Sequence, residues 1–193
     1  YKYGTVEIEG DLAKSWDISS DGTVYTFHLR EGVMWQKGYG EFTAEDVKYS
    51  FDRIMDPETH AILAKYFEPV EEVIVLEDYT VQIKLKFCFA PFLQYLIGYK
   101  NAFIVNKEAV EDFGDFYGVN PVGTGPFEWV SGTPCGDVHL KAFEDYYMGP
   151  AKLKDIYFHH IAEKSVVAMS FESGQLDIAD VSDPESVARY MQD

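Results

Sequence analysis

The sequence predicts a mixed α/β (α+β) fold, because strand-like and helix-like patterns alternate along the chain. Residues 25–30 and 81–86 alternate apolar and polar side chains with the period of a half-buried strand. Other segments repeat apolar residues at helical spacing behind residues that favour helix starts. A chain of 193 residues, 47% of them hydrophobic, can bury one core or divide into two small subdomains.

The first two predicted strands form a hairpin. The first lies within residues 11–19, and the pair Asp21-Gly22 is typical of a tight turn. In the second strand Tyr25, Phe27 and Leu29 point to one face, so we expect that face to be buried.

A second hairpin is predicted further along the chain. Residues 73–76 form a short apolar run, and Val81, Ile83 and Leu85 share one face of the strand that follows. We expect the turn between these strands at Glu77-Asp78.

The first predicted helix begins after Thr43. Asp46 lies at its third position, which makes a variant of the capping box, and Val47 and Phe51 share one helix face. Asp56-Pro57 is expected to end this helix, because proline cannot continue it.

Further elements are predicted towards the end of the chain. Pro91 and Asn106 favour helix starts, and Gly174 favours a helix end. The predicted elements are helices over residues 91–98, 106–110 and 165–173, strands within residues 156–161 and 176–179, and a last helix from residue 183 onward.

The charge balance excludes two classes of partner. There are 33 Asp and Glu residues against 16 Lys and Arg residues, which gives a formal net charge of -17. Nucleic acids and anionic membrane surfaces are bound through clustered basic residues, so neither is expected as a partner. Cys88 and Cys135 form no metal-binding or redox motif, and a disulfide between them is possible only outside the cytosol.

Catalytic, metal and cofactor motifs do not occur in the sequence. There is no G-x-S-x-G, H-E-x-x-H, P-loop or G-x-G-x-x-G, so we predict no catalytic residue, metal ligand or cofactor. His159-His160 lies in an alternating stretch, so the two rings would point to opposite faces and could not share one ion. The segment Gly123-Thr124-Gly125 is too short to bind a phosphate group, and it is predicted to form a backbone bend between a loop and a strand. Paired acids such as Glu144-Asp145 leave a carboxylate-dependent hydrolase as a rival hypothesis.

Lys100 is the one charged residue between Phe87 and Val105. Its ammonium either extends to water past apolar neighbours or faces a cleft and pairs with an anionic ligand group. Both interpretations stay open from the sequence.

Six stretches carry a family resemblance, in order and with matching spacing. They are LAKSW at 12–16, DGTVYTFHLREGV at 21–33, FTAEDV at 42–47, NPVGTGPF at 120–127, EDYYMGP at 144–150 and SGQLDI at 173–178. Together they resemble the family 5 extracellular solute-binding proteins of ABC importers, the dipeptide, oligopeptide and nickel-binding group. Tyr147 stands where these proteins usually have tryptophan.

The resemblance implies a periplasmic-binding-protein-like II fold, in which two lobes close on a ligand. This chain resembles part of lobe one, with a small antiparallel-sheet subdomain and a mixed sheet. Residues 1–105 correspond to the small accessory subdomain. Residues 106–193 correspond to part of the main sheet subdomain, up to the crossover to lobe two.

The resemblance also implies ligand contacts in three places. The segment after the Asp-Pro turn lines the cleft in relatives, the turn after the PFL helix supplies a basic contact, and the strand after DI ends at the cleft. The corresponding residues are Ile62, Leu63, Tyr66, Tyr99, Lys100, Asp180, Val181 and Ser182.

The implied function is that of a substrate-binding component of an ABC importer. It would capture peptides or similar small polar solutes outside the cytoplasm, as a monomer, and deliver them to a membrane permease. The expected location is the periplasm, or the cell surface as a lipoprotein. A metallophore, nickel or oligosaccharide binder of the same family is the alternative.

Overall fold

The computed structural model describes residue 5, residues 7–97, residues 103–180 and residue 190. Within these residues the chain forms two antiparallel sheets and several helices. The strands are β1 (Ala13–Ile18), β2 (Val24–Leu29), β3 (Val70–Glu77), β4 (Thr80–Leu85), β5 (Phe127–Gly132), β6 (Val138–Ala142) and β7 (Asp155–Phe158). The α-helices are α1 (Ala44–Met55), α2 (Phe92–Ile97), α3 (Lys107–Phe113) and α4 (Lys164–Glu172).

The first sheet has the strand order β1-β2-β4-β3. Tyr25 pairs with Ile83 and Phe27 with Val81, so the apolar faces predicted for β2 and β4 meet on one side of the sheet. All four side chains are buried. The prediction of two half-buried strands is therefore confirmed.

Helix α1 covers the apolar side of this sheet. Thr43 has the extended backbone of an N-cap residue, and its N–H donates to Asp46 Oδ2 at 2.9 Å. Val47 and Phe51 are buried as their helical spacing predicts. The helix ends at Met55, directly before the predicted Asp56-Pro57 stop.

The second sheet has the strand order β5-β6-β7, and its pairs are also antiparallel. Leu140 pairs with Trp129 on one side and with Ile156 on the other, so these apolar side chains share one face. Tyr157 and Phe158 at the outer strand are more than half exposed. Among the described residues, every helix is too short or too polar to cross a lipid bilayer.

Two predicted boundaries differ in the structure. The second hairpin turns at Asp78-Tyr79, because Glu77 still pairs with Thr80. Helix α3 begins after Asn106, whose side chain accepts from the N–H of Ala109 as predicted, but it continues to Phe113. A helix start depends on local capping, whereas its length depends on packing.

The prediction of a strand over residues 176–179 is wrong. The N–H groups of Gln175 and Leu176 both donate to the carbonyl of Ser170, at 2.9 and 3.2 Å. These groups therefore close the last turn after α4 instead of joining a sheet. The helix predicted from residue 183 falls almost wholly outside the described residues.

The core of the first sheet also includes residues from beyond position 105. Ala109 and Val122 are buried in the same hydrophobic cluster as Tyr25 and Phe51. The division of the chain into residues 1–105 and 106–193 stays a prediction. Cys88 and Cys135 are both exposed free thiols in this structure.

Candidate functional site

The segment between α1 and β3 carries the first group of predicted ligand contacts. It follows a 3-10 turn at Pro57–Thr59 and a left-handed backbone at His60, where φ is 49°. Ile62 is 89% exposed, whereas Phe67 is buried with its ring centre 5.1 Å from that of Phe51. Phe67 therefore anchors the segment on α1, and Ile62 projects into solvent.

Leu63 and Tyr66 lie in the same turn and are half-buried. The N–H of Tyr66 donates to the carbonyl of Leu63 at 2.9 Å, and the Tyr66 ring packs against the core of the first sheet. The ammonium of Lys65 lies 5.1 Å from the centre of that ring, within range of a cation–π interaction. The segment thus combines an exposed aliphatic side chain, an aromatic ring and one positive charge.

The other predicted contacts lie elsewhere in the chain. Asp180 is described and exposed, and it follows α4 beyond the second sheet. The remaining four predicted contacts are outside the described residues; they are Tyr99, Lys100, Val181 and Ser182. The structure therefore brings together Ile62, Leu63 and Tyr66, and places Asp180 in a different part of the fold.

Asp46 is the buried carboxylate of the described residues. Its Oδ2 accepts from the N–H of Thr43 at 2.9 Å and from the indole N–H of Trp35 at 3.2 Å. Burial raises the pKa of this carboxyl, and the two hydrogen bonds oppose that rise. Both partners belong to the fold itself, the main chain at the start of α1 and a buried indole, so Asp46 stabilises the fold.

The adjacent histidines do not form a metal site with their neighbours. His159 Nδ1 lies 2.9 Å from Asp137 Oδ2, and the N–H of His160 donates to Asp137 Oδ1 at 3.1 Å. These contacts hold the pKa of Asp137 below its usual range, with the His159 bond as the larger cause. In the parts of the chain that the structure describes, no three His, Cys, Asp or Glu residues are arranged to hold a metal ion.

A polar hollow of about 380 Å³ lies at the edge of the first sheet. It contains an ion pair between Lys14 and Glu31 at 3.5 Å. None of the four described predicted contacts lines it. Its lining residues are Lys14, His28, Glu31, Glu77, Asp78, Tyr79 and Thr80. The sequence could not indicate this hollow, because it forms where β1 and β2 meet the turn between β3 and β4.

The family model described as "Bacterial extracellular solute-binding proteins, family 5 Middle" matches residues 7–193. The chain belongs to this family of solute-binding proteins. Family 5 membership confirms the resemblance that the six sequence stretches indicated.

Individual relatives agree with the family 5 assignment. The chain is 31% identical to the dipeptide-binding protein of Escherichia coli (strain K12), over 100% of this chain and 40% of the relative. It superimposes with a TM-score of 0.83 and 36% identity on MoaA from A. tumefacien R10 in complex with mannopinic acid, covering 88% of this chain and 34% of that one. NikZ from Campylobacter jejuni in complex with Ni(L-His) gives 0.78 and 32% identity, covering 86% and 34%.

These matches also confirm the predicted fold, that of the family 5 periplasmic binding proteins. The chain spans 40% or less of the length of these three relatives. The three are named for different ligands, so family 5 membership does not by itself select a ligand.

Proposed function

We propose that this chain is part of the substrate-binding component of an ABC importer. It captures a peptide or a similar small polar solute outside the cytoplasm and delivers it to a membrane permease. The observation that carries this proposal is the family 5 match, which extends along residues 7–193. The protein works as a monomeric binder without a cofactor, in the periplasm or at the cell surface as a lipoprotein, and neither catalyses a reaction nor binds nucleic acid.

In this proposal the exposed segment after α1 belongs to the wall of the ligand cleft. Ile62 and Leu63 provide apolar contact, and the Tyr66 ring provides an amphipathic surface of the kind that small-molecule sites use. Lys100 pairs with an anionic group of the ligand beside Tyr99. Asp180, Val181 and Ser182 form the cleft edge contributed by the main sheet subdomain.

The mechanism is closure of two lobes on the ligand. A ligand shifts such an equilibrium only by its differential affinity for the closed form. Residues 1–105 would act as the accessory subdomain of lobe one, and residues 106–193 as part of its main sheet subdomain. The contacts proposed above then contribute to ligand affinity only when lobe two closes on them.

The ligand class is tested on the native protein that carries this chain. Calorimetric titrations with a dipeptide, with mannopinic acid and with Ni(L-His) sample the ligands for which the three relatives are named. We expect saturable binding of a dipeptide; preference for Ni(L-His) would indicate the metallophore alternative. Absence of binding, with peptide hydrolysis that disappears on changing one carboxylate, would contradict the transport proposal and support the hydrolase.

Matched variants test the proposed contacts. Ile62→Ala and Lys100→Ala are expected to weaken binding of the identified solute about tenfold or more, since each removes a direct contact. Ile18→Ala and Lys107→Ala are the controls, because both residues are substantially exposed on other elements. Equal affinities in all four variants would remove Ile62 and Lys100 from the site.

A further inference from the structure

Gln36 joins the core of the first sheet to the loop that leads into the second sheet. It follows Trp35, which is buried in the core of the first sheet, and it begins a 3-10 turn that extends to Gly38. The main-chain N–H of Gln36 donates to the carbonyl of Gly123 at 3.0 Å. In return, Gln36 Oε1 accepts from the N–H of Gly123 at 3.1 Å.

The Gln36 amide nitrogen extends this contact to the second sheet itself. Nε2 donates to the carbonyl of Gly125 at 2.9 Å and to the carbonyl of Phe127, the first residue of β5, at 2.8 Å. Gln36 is 3% exposed, so these hydrogen bonds are shielded from water in the folded chain. Both amide protons and the amide oxygen are therefore committed to residues 123–127.

Among the described residues, apolar packing links the second sheet to the first-sheet core through the half-buried ring of Tyr147, in the loop between β6 and β7. The hydrophobic cluster of the first sheet reaches Val122, but none of its described members belongs to β5, β6 or β7. A second polar contact is present, in which the Tyr147 hydroxyl donates to the carboxylate of Asp11, but it is exposed. Of the buried polar side chains in the described residues, Gln36 is the one that bonds to the second sheet.

We propose that Gln36 is a positioning residue that couples the two sheets. Because of this coupling, the two sheets unfold locally, and move, as one body. Separation of residues 123–127 from the first sheet would break the three hydrogen bonds of the Gln36 carboxamide and expose this buried side chain to water. That cost makes independent opening of the second sheet unfavourable. The coupling does not depend on which solute is bound, so its test is separate from the tests of the proposed function.

Hydrogen exchange of the native chain, read by mass spectrometry for each strand, measures this coupling. Gln36→Met keeps the length and volume of the side chain but removes all three of its hydrogen bonds. We expect protection of β5 and β6 to fall at least about tenfold more than protection of β2 and β4. Gln82→Met is the matched control, because Gln82 Nε2 donates to Thr26 Oγ1 within the first sheet at 3.2 Å. It should leave the ratio between the sheets unchanged.

Two results would overturn the proposal. An equal loss of protection in both sheets of Gln36→Met would make Gln36 a contributor to stability without a coupling role. In the wild-type chain, both sheets should lose protection with the same dependence on urea, and different dependences would refute coupling even if Gln36→Met did not fold.

Discussion

The most demanding prediction concerns Asp46, which serves two buried or half-buried donors with a single oxygen. Asp46→Ala leaves the indole N–H of Trp35 unpaired in the core, which costs about 1–3 kcal/mol. It also removes the capping bond to Thr43, which contributes about 1 kcal/mol. The free energy of unfolding should therefore fall by about 2–4 kcal/mol, which is a large share of the ~5–15 kcal/mol typical of a domain.

Asp46→Asn should behave differently, because its amide oxygen can accept both bonds. The loss of negative charge at the helix start costs about 0.3–1 kcal/mol, while burial of a neutral group is easier than burial of a carboxylate. We therefore expect Asp46→Asn to unfold within about 1 kcal/mol of the wild type at pH 7. Urea denaturation with an unchanged m-value measures both variants.

The pH dependence of the same variants has a defined sign. Because burial raises the pKa of Asp46, the folded state holds the proton more tightly than the unfolded state. The contribution of Asp46 to stability is therefore full below the ordinary aspartate pKa, and it is lost as the pH rises through the pKa of Asp46 in the folded state. The stability of the wild type relative to Asp46→Asn should fall across that interval, and a rise would refute the reasoning.

A double-mutant cycle with Trp35→Phe separates the two contributions. Trp35→Phe removes the indole N–H, so in that background Asp46→Ala should cost only the capping bond, about 1 kcal/mol. If Asp46→Ala cost the same in both backgrounds, the indole contact would contribute nothing to stability.

Two further predictions follow from burial and from the Asp137 contacts. Phe42 is fully buried with its ring centre 6.2 Å from that of Trp35, so Phe42→Ala should lower the free energy of unfolding by about 3–5 kcal/mol. Phe116→Ala, at a side chain 70% exposed, should change the free energy of unfolding by less than about 0.5 kcal/mol. If both variants lowered the free energy of unfolding equally, the buried packing of Phe42 would be contradicted. His159→Ala should raise the pKa of Asp137 in a pH titration followed by NMR, because the larger cause of its lowering is removed. The Asp137 carboxylate stabilises the fold above its unfolded pKa and loses that contribution as the pH falls through the folded value; an unmoved pKa would refute the contact.

Local patterns predicted the elements of the first sheet well. The alternation around Tyr25 and Ile83 fixes which face is buried, because side chains in a strand project alternately to opposite faces. The cap at Thr43 and the stop at Asp56-Pro57 likewise depend on neighbours a few residues away. Such signals depend only on neighbouring residues, so a short segment of sequence is enough to recognise them.

The predicted site was only partly within reach of the same reasoning. Ile62 is exposed, as a ligand contact requires, but its presentation depends on the anchor that Phe67 makes with Phe51. The assignment of Ile62 as a contact came from the family resemblance, since no periodicity or motif marks it. Ligand contacts at Ile62 and at Asp180 both stay predictions.

The sequence by itself determined the mixed fold class, the family and the boundaries of the best-patterned elements. Only the tertiary structure decided that β2 pairs with β4, that residues 176–179 form no strand, and that Gln36 holds residues 123–127. The physical reason is the range of the interactions. Periodicity and capping act over a few residues, whereas strand pairing and a buried carboxamide join atoms that lie tens of residues apart.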